Sequence, residues 1–311
     1  MDKNARIFVA GRETLIGTAL VLALSRHGYT RTIHPSLEEC PLTDATAVDR
    51  VFSGHRPEYV IVAAGKSGGI EANRRYPGEL MLDNMLVAGH VCAAALRHGV
   101  TKLLYLASSC CYPKECPQPM RVTHLGTGPL EPTSEAYATA KLAGMQLCRA
   151  LRQQYGVAFI VGIPADVFGP YSKFDGENSH VIPALIMKMH SAKVAGEPSI
   201  ELWGSGLPRR EFLYADDLAD ACLVALDRYD AAEPINLGGG TELAIREAAA
   251  VIADVVGYKG EIRFDKSRPD GMARKLLDSG ELLGLGWRQA TPFRDALERT
   301  YAAFLETRTG V

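Results

Sequence analysis

The chain carries little excess charge. Its 34 basic and 36 acidic residues leave a formal net charge of −2 across 311 residues. So even a balance sets up no field that would gather a polyanion, and it argues against nucleic acid or an anionic membrane surface as the partner. An uninterrupted apolar run of about 18 residues or more, the length a membrane span needs, is also missing. The N-terminal MDKNARIFVAG passes directly from polar residues into a short strand pattern, with no charged-then-apolar leader, so a cytoplasmic protein is expected. The seven cysteines (Cys40, Cys92, Cys110, Cys111, Cys116, Cys148 and Cys222) are odd in number and lack the paired spacing of a zinc site. Reduced and mostly packed thiols are expected, with neither a disulfide framework nor a metal. No internal repeat or low-complexity tract interrupts the sequence.

What is present is a regular alternation of short apolar runs and helical patterns, in a chain that is 47% hydrophobic and long enough to bury a large core. Strands are expected at Arg6–Ala10, Thr30–His34, Tyr59–Ala63, Lys102–Ala107 and Val157–Ile163. Helices are expected at Leu15–His27, from Thr43 (as N-cap) towards Phe52, at Glu79–His98 and at Ser134–Tyr155. This order predicts an α/β fold of the Rossmann type, a doubly wound parallel sheet whose ligands lie beyond the carboxyl ends of its strands. After Pro164 the pattern loosens into a polar loop over 169–179, a helix Ser179–Ala192, strands Glu201–Trp203 and Arg210–Tyr214, and a helix Asp216–Leu226. Ile235–Leu237 reads as one more strand of the main sheet, and helices follow near Ile245–Val256 and Pro292–Glu306. Residues 1–164 with about 205–240 are therefore expected to form a dinucleotide-binding domain. About 165–204 and 241–311 would form a smaller, mostly C-terminal α/β lobe for the substrate.

Chemistry concentrates at the predicted strand ends. VAGRETLIGTA (Val9–Ala19) reads as a strand, a turn and a helix start, with Gly11 and Gly17 placed for a phosphate-binding turn. LASSCCYP (Leu106–Pro113) delivers Ser108, Ser109, Cys110 and Cys111 at the end of the fourth strand. EAYATAK places Tyr137 and Lys141 four residues apart, about 6 Å along one helix face. A phenol is a weak acid–base catalyst at its ordinary pKa of about 10, and a neighbouring ammonium favours its ionised form. A surface Tyr–Lys pair is the alternative for that spacing taken alone. Packing is the alternative for the cysteines, and a plain helix start is the alternative for His180.

Taken together, these residues resemble the extended short-chain dehydrogenase/reductase family, and within it the GDP-L-fucose synthases, which are 3,5-epimerase/4-reductases of a GDP-4-keto-6-deoxy sugar. The segments that carry the likeness are AAGKSGGIEANRRYP, ASSCCYPKECPQPM, LEPTSEAYATAKLAG, NSHVIPALI, WGSGLPRREFLYADDLADA and RPDGMARKLLD, spanning 63 to 278. The resemblance implies catalytic roles for Ser108, Tyr137, Lys141, Cys110 and His180. A thiol and an imidazole exchange protons with the carbons flanking the ketone, while the hydroxyls of Ser108 and Tyr137 carry the enolate charge. It implies cofactor contacts at Gly11, Arg12, Thr14, Leu15, Ile16, Gly17, Ala63, Tyr137, Lys141 and Pro164. Substrate contacts are implied at Ser109, Asp166, Lys188, Trp203, Arg210 and Lys275, with Trp203 either on the base or packing the lobe. The loop Lys66–Ile70 is placed near the sugar or nicotinamide, and Asn84 is either a ribose-side or a supporting residue. NADP(H) is expected, with NAD(H) as the alternative, together with a GDP-sugar substrate and a homodimer.

Three positions depart from the family pattern. Thr14 replaces the middle glycine of the turn, where its Cβ crowds a pyrophosphate although its hydroxyl can donate to one. Glu13 stands beside Arg12, an acidic group that repels a 2′-phosphate, and IHPSLEEC brings neither an arginine for that phosphate nor an aspartate for a ribose diol. Asp166 stands where the family has asparagine, and a carboxylate near a diphosphate weakens binding unless it is paired or neutral. A reductase without epimerase activity, another nucleotide-sugar enzyme and a non-catalytic dinucleotide-binding regulator remain the competing readings.

Overall fold

The computed structural model of the chain describes residues 1–175, 179–268 and 270–309. Its first half runs β1 (Ile7–Ala10), α1 (Leu15–Arg26), β2 (Thr32–Ile33), α2 (Ala45–His55), β3 (Tyr59–Val62), α3 (Ile70–Arg75), α4 (Pro77–Arg97), β4 (Lys102–Leu106), α5 (Glu135–Tyr155) and β5 (Ala158–Pro164). The second half runs β6 (Asp166–Phe168), α6 (Val181–Ala195), β7 (Ser199–Trp203), β8 (Arg209–Arg210), β9 (Phe212–Tyr214), α7 (Ala215–Arg228), β10 (Ile235–Leu237), β11 (Leu243–Ala244), α8 (Ile245–Val256), β12 (Glu261–Asp265), β13 (Arg274–Lys275), α9 (Gly280–Gly284) and α10 (Phe293–Thr309).

The expected α/β fold is present. One parallel sheet has the order β2-β1-β3-β4-β5-β10. β1 and β4 are buried along their whole lengths, as strands covered on both faces must be, which is why β1 reads as an unbroken apolar run and β4 departs from one only at Lys102. The chain leaves β1 to one side for β2 and to the other for β3. That reversal opens a crevice beyond their carboxyl ends. Ile235–Leu237 joins the sheet as its outer strand beside β5, as the sequence predicts.

Local chemistry fixes the helix boundaries. Asp44, not Thr43, caps α2: its carboxylate accepts from the amides of Thr46 at 2.8 Å and Ala47 at 3.2 Å. It thereby satisfies two donors that the first turn leaves open. α5 ends on Gly156 in the left-handed conformation, with φ of 70°. By length and composition alone α4 is apolar enough to cross a membrane, which the sequence reading did not register. Its Leu80, Val87, Ala88, Val91, Cys92, Ala94 and Ala95 are instead buried in the protein core.

A second apolar core gathers Phe168, Ile182, Leu185, Phe212, Tyr214, Ile252, Leu297 and Phe304. Phe168 stands edge-on to Phe212 and Phe293, with centroids 6.5 and 5.4 Å apart. Met272, Leu277, Leu282 and Trp287 cross back onto the first core. Two expectations need correction. Arg210–Tyr214 is not one strand: β8 pairs with β11 and β13, β9 pairs with β6, and Glu211 turns inward between them. Ile70 opens the short helix α3 rather than ending a loop.

Candidate active site

The turn after β1 is built for close approach. Gly11 has φ of 97°, and a Cβ on it would lie 2.7 Å from the Ala64 Cα. A Cβ on Gly17 would lie 1.9 Å from the Gly11 carbonyl oxygen. No other residue fits either position without moving the backbone. Thr14, the anomaly of the motif, is the N-cap of α1, with an ordinary extended backbone (φ −81°, ψ 159°). Its Oγ1 accepts from the Gly17 amide at 2.9 Å and lies within donating distance of the Gly11 and Ala63 carbonyls, at 2.9 and 3.0 Å. The hydroxyl is thus committed to the protein. The expectation that it donates to a phosphate is replaced by a capping role that stitches the ends of β1 and β3 together.

The same turn orients its two charged side chains. Arg12 reaches the His34 carbonyl beyond β2 at 3.2 Å. The Glu13 carboxylate reaches the same segment three residues further on, accepting from the Leu37 amide at 3.3 Å. Leu15 and Ile16 supply first-turn amides of α1, donors of the kind that hold phosphate oxygens at a helix N-terminus. Ala63 lies just past β3 and Pro164 ends β5, so both stand at the same sheet edge.

Ser108 emerges from β4 and caps a short 3₁₀ turn, accepting from the Cys110 amide at 3.2 Å. Tyr137, in the first turn of α5, is bonded to the Ser108 side chain; burial raises its phenol above the ordinary value, and that bond only partly offsets the rise. Lys141, one turn on, is 6% exposed. Its Nζ donates to the Leu106 carbonyl at 3.2 Å and the Ala64 carbonyl at 3.4 Å, and lies 6.0 Å from the centre of the Tyr137 ring. Burial pulls the Lys141 pKa down to about 8. In this geometry the expected lowering of the phenol by Lys141 gives way to desolvation, which acts on both groups.

The adjacent cysteines differ sharply. Cys111 is fully buried, and burial pushes its pKa up to about 12. Cys110 is half-buried and faces Lys275, whose Nζ lies 3.9 Å from its sulfur. Lys275 also pairs with Asp166 at 3.0 Å, Arg210 approaches the other Asp166 oxygen at 3.8 Å, and Ser109 Oγ lies 3.5 Å from the same carboxylate. Burial would raise the Asp166 carboxyl, but Lys275 and Arg210 outweigh it and hold the pKa below the ordinary value. Asp166 is therefore charged and paired, which removes the cost expected of a lone carboxylate.

His180 is the N-cap residue of α6. Its side chain is exposed, and loss of hydration from the protein around it lowers its pKa while Asp166 opposes the shift. Asn178 of the NSHVIPA motif lies outside the described residues.

Two proposed substrate contacts are not gathered with the rest. Lys188 is exposed and donates to the Glu201 carbonyl on β7. Trp203 is 64% exposed, with Arg268 stacked over its ring at 5.0 Å, so packing of the lobe is not its role. Asn84 is buried and donates to the Lys66 and Leu80 carbonyls at 2.8 and 2.7 Å. Its Oδ1 has no partner among the described residues.

Sequence reasoning passed over Glu211. It is 2% exposed, and its carboxylate accepts from the amides of Gly240 at 2.6 Å and Leu277 at 2.9 Å. Its backbone bonds to Asp166 and Lys275, each at 3.1 Å, so it ties together the two strands that bear the ion pair. A charged residue directly before the strand-forming run Phe212–Tyr214 was the available signal. Arg268 over Trp203 was missed as well, and no periodicity marks it.

Comparison with known proteins matches residues 7–238 to the model of the NAD dependent epimerase/dehydratase family. GDP-L-fucose synthase 1 of Arabidopsis thaliana is 47% identical over 305 residues, covering 98% of this chain and 94% of that protein. A solved GDP-L-fucose synthetase from Naegleria fowleri bound to NADP has a TM-score of 0.90 at 29% identity, covering 99% of this chain and 96% of that one. A GDP-6-OMe-4-keto-L-xylo-heptose reductase from C. jejuni has a TM-score of 0.92 at 28% identity, covering 99% of each chain.

Proposed function

The chain belongs to the NAD dependent epimerase/dehydratase family, as an extended short-chain dehydrogenase/reductase, and from that premise we propose that it converts a GDP-4-keto-6-deoxy sugar by C3/C5 epimerisation followed by reduction at C4 with NADPH. Membership in a family of enzymes displaces the reading of a non-catalytic regulator. One observation carries the proposal: Ser108, Tyr137 and Lys141 sit at the sheet edge beside Cys110, with Lys275, Asp166 and His180 facing the thiol's side of the cleft.

The residues present fit a dinucleotide. Gly11 and Gly17 leave no room for a Cβ, the Thr14 cap engages the Gly17 amide rather than those of Leu15 and Ile16, and Lys141 is held at the junction of β3 and β4. When bound, the nicotinamide supplies the hydride for C4. Arg12 favours NADPH over NADH, because its guanidinium lies at the end of β2, where the adenosine ribose is read in this fold, while Glu13 is turned onto Leu37. The relative solved with NADP supports the same choice.

The ketone of the substrate acidifies the protons on both neighbouring carbons. Cys110 and His180 take and return protons there, and Ser108 and Tyr137 hold the developing oxyanion by hydrogen bonds. Tyr137 then protonates the C4 oxygen. Its raised pKa suits this last task, since the phenol keeps its proton until charge develops on the oxygen. Residues 1–164 and about 205–240 serve the dinucleotide. About 165–204 and 241–311 serve the nucleotide sugar, with Arg210 on the diphosphate. The chain is a cytoplasmic homodimer in this reading, paired through the exposed apolar face of α4 at Leu82 (58% exposed) and Met85 (44%).

The test is solvent deuterium wash-in, followed by NMR, with the GDP-4-keto-6-deoxy sugar and NADPH. Label at C3 and C5 with oxidation of NADPH is the expected result. The heptose reductase of similar fold favours a second reading, a reductase alone. Reduction without wash-in selects that reading, and neither wash-in nor reduction overturns both.

A further inference from the structure

Lys275 is the substrate-lobe cation for which a diphosphate role is the simplest expectation, yet its surroundings commit it elsewhere. It is 9% exposed. Its ammonium donates to Asp166 Oδ1 at 3.0 Å and to Cys110 Sγ at 3.9 Å. The main chain that carries it is fixed on both sides. The Lys275 carbonyl accepts from the Glu211 amide at 3.1 Å, the Leu276 amide donates to Gln118 Oε1 at 3.0 Å, and the Leu277 amide donates to the Glu211 carboxylate. Arg210, on the adjacent strand β8, stands 3.8 Å from the other oxygen of Asp166, beyond hydrogen-bond distance, and is less committed to it than Lys275.

We propose that Lys275 is a positioning residue for Cys110, the counter-charge that holds its thiolate beside the reacting carbon, and that Asp166 anchors it in this place. The proposal rests on the reading of Cys110 as a proton-transfer group and deepens it. In the step served, the C–H bond next to the ketone breaks and an S–H bond forms on Cys110. The electron pair moves to the ketone oxygen, held by Ser108 and Tyr137. On the opposite face His180 gives a proton to carbon, so an N–H bond is exchanged for a C–H bond. No electron leaves the substrate, and no further reactant is required.

The groups facing the thiol come from every neighbouring element. Lys275 on β13 and Arg210 on β8 are cations, Asp166 on β6 is an anion, His180 starts α6, Tyr137 lies on α5, and Cys111 follows in the chain. Lys275 is the cation in hydrogen-bond reach of the sulfur. The Asp166 carboxylate that holds it also raises its own proton affinity: burial lowers the Lys275 pKa, and Asp166 and Cys110 more than reverse that. The ammonium therefore persists through the pH range in which a thiol ionises.

The test reads the thiol directly, without substrate or cofactor. Iodoacetamide alkylation of Cys110 is followed by peptide mass spectrometry across pH in the wild type, K275M, K275Q and K275R, with half-buried Cys116 as the internal reference thiol. Removing the charge should move the half-maximal pH of Cys110 alkylation up by about 1 unit or more, because an opposite charge within ~4–6 Å moves an ionisable group by that much. K275R should recover at least half of the shift, and the Cys116 profile should not move. GDP, titrated calorimetrically, should bind K275M within about twofold of wild type, whereas a lost diphosphate contact in a charged pair weakens binding by about tenfold or more. An unchanged Cys110 profile in both K275M and K275Q overturns the proposal, whatever GDP does. Absence of C3 wash-in with an intact wild-type alkylation shift refutes the epimerase reading and leaves the Lys275–Cys110 pairing standing.

Discussion

Replacing Glu211 with glutamine should change how the stability of the protein depends on pH, and the sign follows from burial. The carboxyl is 2% exposed, and loss of hydration raises its pKa from 4.5 to about 7 against the lowering effect of the Leu277 and Gly240 amides. In the unfolded chain it titrates near 4.5. Between those values the native state binds the proton more tightly, so stability is fully present below pH 4.5 and is lost as pH rises through about 7. A shift of about 2.5 units, from 4.5 to about 7, corresponds to roughly 3 kcal/mol. Glutamine cannot ionise, so E211Q lacks this part of the dependence. Urea unfolding at pH 5, 6, 7 and 8 should show the wild type losing roughly 3 kcal/mol relative to E211Q over the series. Parallel curves, or a wild type that gains on E211Q as pH rises, would refute the assignment. Parallel curves would mean that the amides match or outweigh burial, so that Glu211 is a carboxylate throughout this range.

Four further outcomes follow from the same geometry. T14V keeps the shape of the side chain but strips the cap from Gly17, so it should cost about 1–2 kcal/mol in urea unfolding. NADPH affinity measured on the folded variant, without urea, should change little, and a large loss would restore the hydroxyl as a phosphate donor. G17A forces a Cβ against the Gly11 carbonyl and should weaken NADPH binding by about tenfold or more in a fluorescence titration. Y137F should retain C3 and C5 wash-in at reduced rate while NADPH oxidation falls to background, because the oxyanion keeps Ser108 but loses its proton donor. D166N removes the carboxylate that occupies Lys275 and Arg210, so GDP should bind several-fold more tightly by calorimetry; unchanged or weaker binding would show that Asp166 does not compete with the diphosphate.

The sheet and most of its helices were legible because the physics that forms them is local. An all-buried parallel strand such as Ile7–Ala10 must be apolar throughout, and a helix such as α5 ends where Gly156 permits a left-handed residue. The short pieces were not legible. β6, β8 and β13 have two or three residues each, carry Asp166, Arg210 and Lys275, and exist because they pair with segments distant in sequence, β6 with β9 and β8 with β13. No periodicity announces such strands, although they assemble the charged half of the site. Thr43 and Asp44 show the same limit on a smaller scale. Both are good caps by type, and only the register of the helix decides between them.

Thr14 and Asp166 were the hardest residues to read for one shared reason. Each was weighed against a ligand, a threonine crowding a pyrophosphate and a carboxylate repelling a diphosphate, whereas its first partner is the protein itself. The Thr14 hydroxyl closes the turn by bonding to backbone atoms of Gly17, Gly11 and Ala63. The Asp166 carboxylate is neutralised by Lys275 and Arg210, whose positions in sequence give no hint of the contact. A polar substitution inside a binding motif therefore has two energies, one with the ligand and one with the fold, and only the second is fixed before anything binds. For Asp166 that second energy redirects a lysine from phosphate recognition to the thiol beside it. A departure from the family pattern thus becomes a change in how the site distributes its charges, rather than a loss of the site.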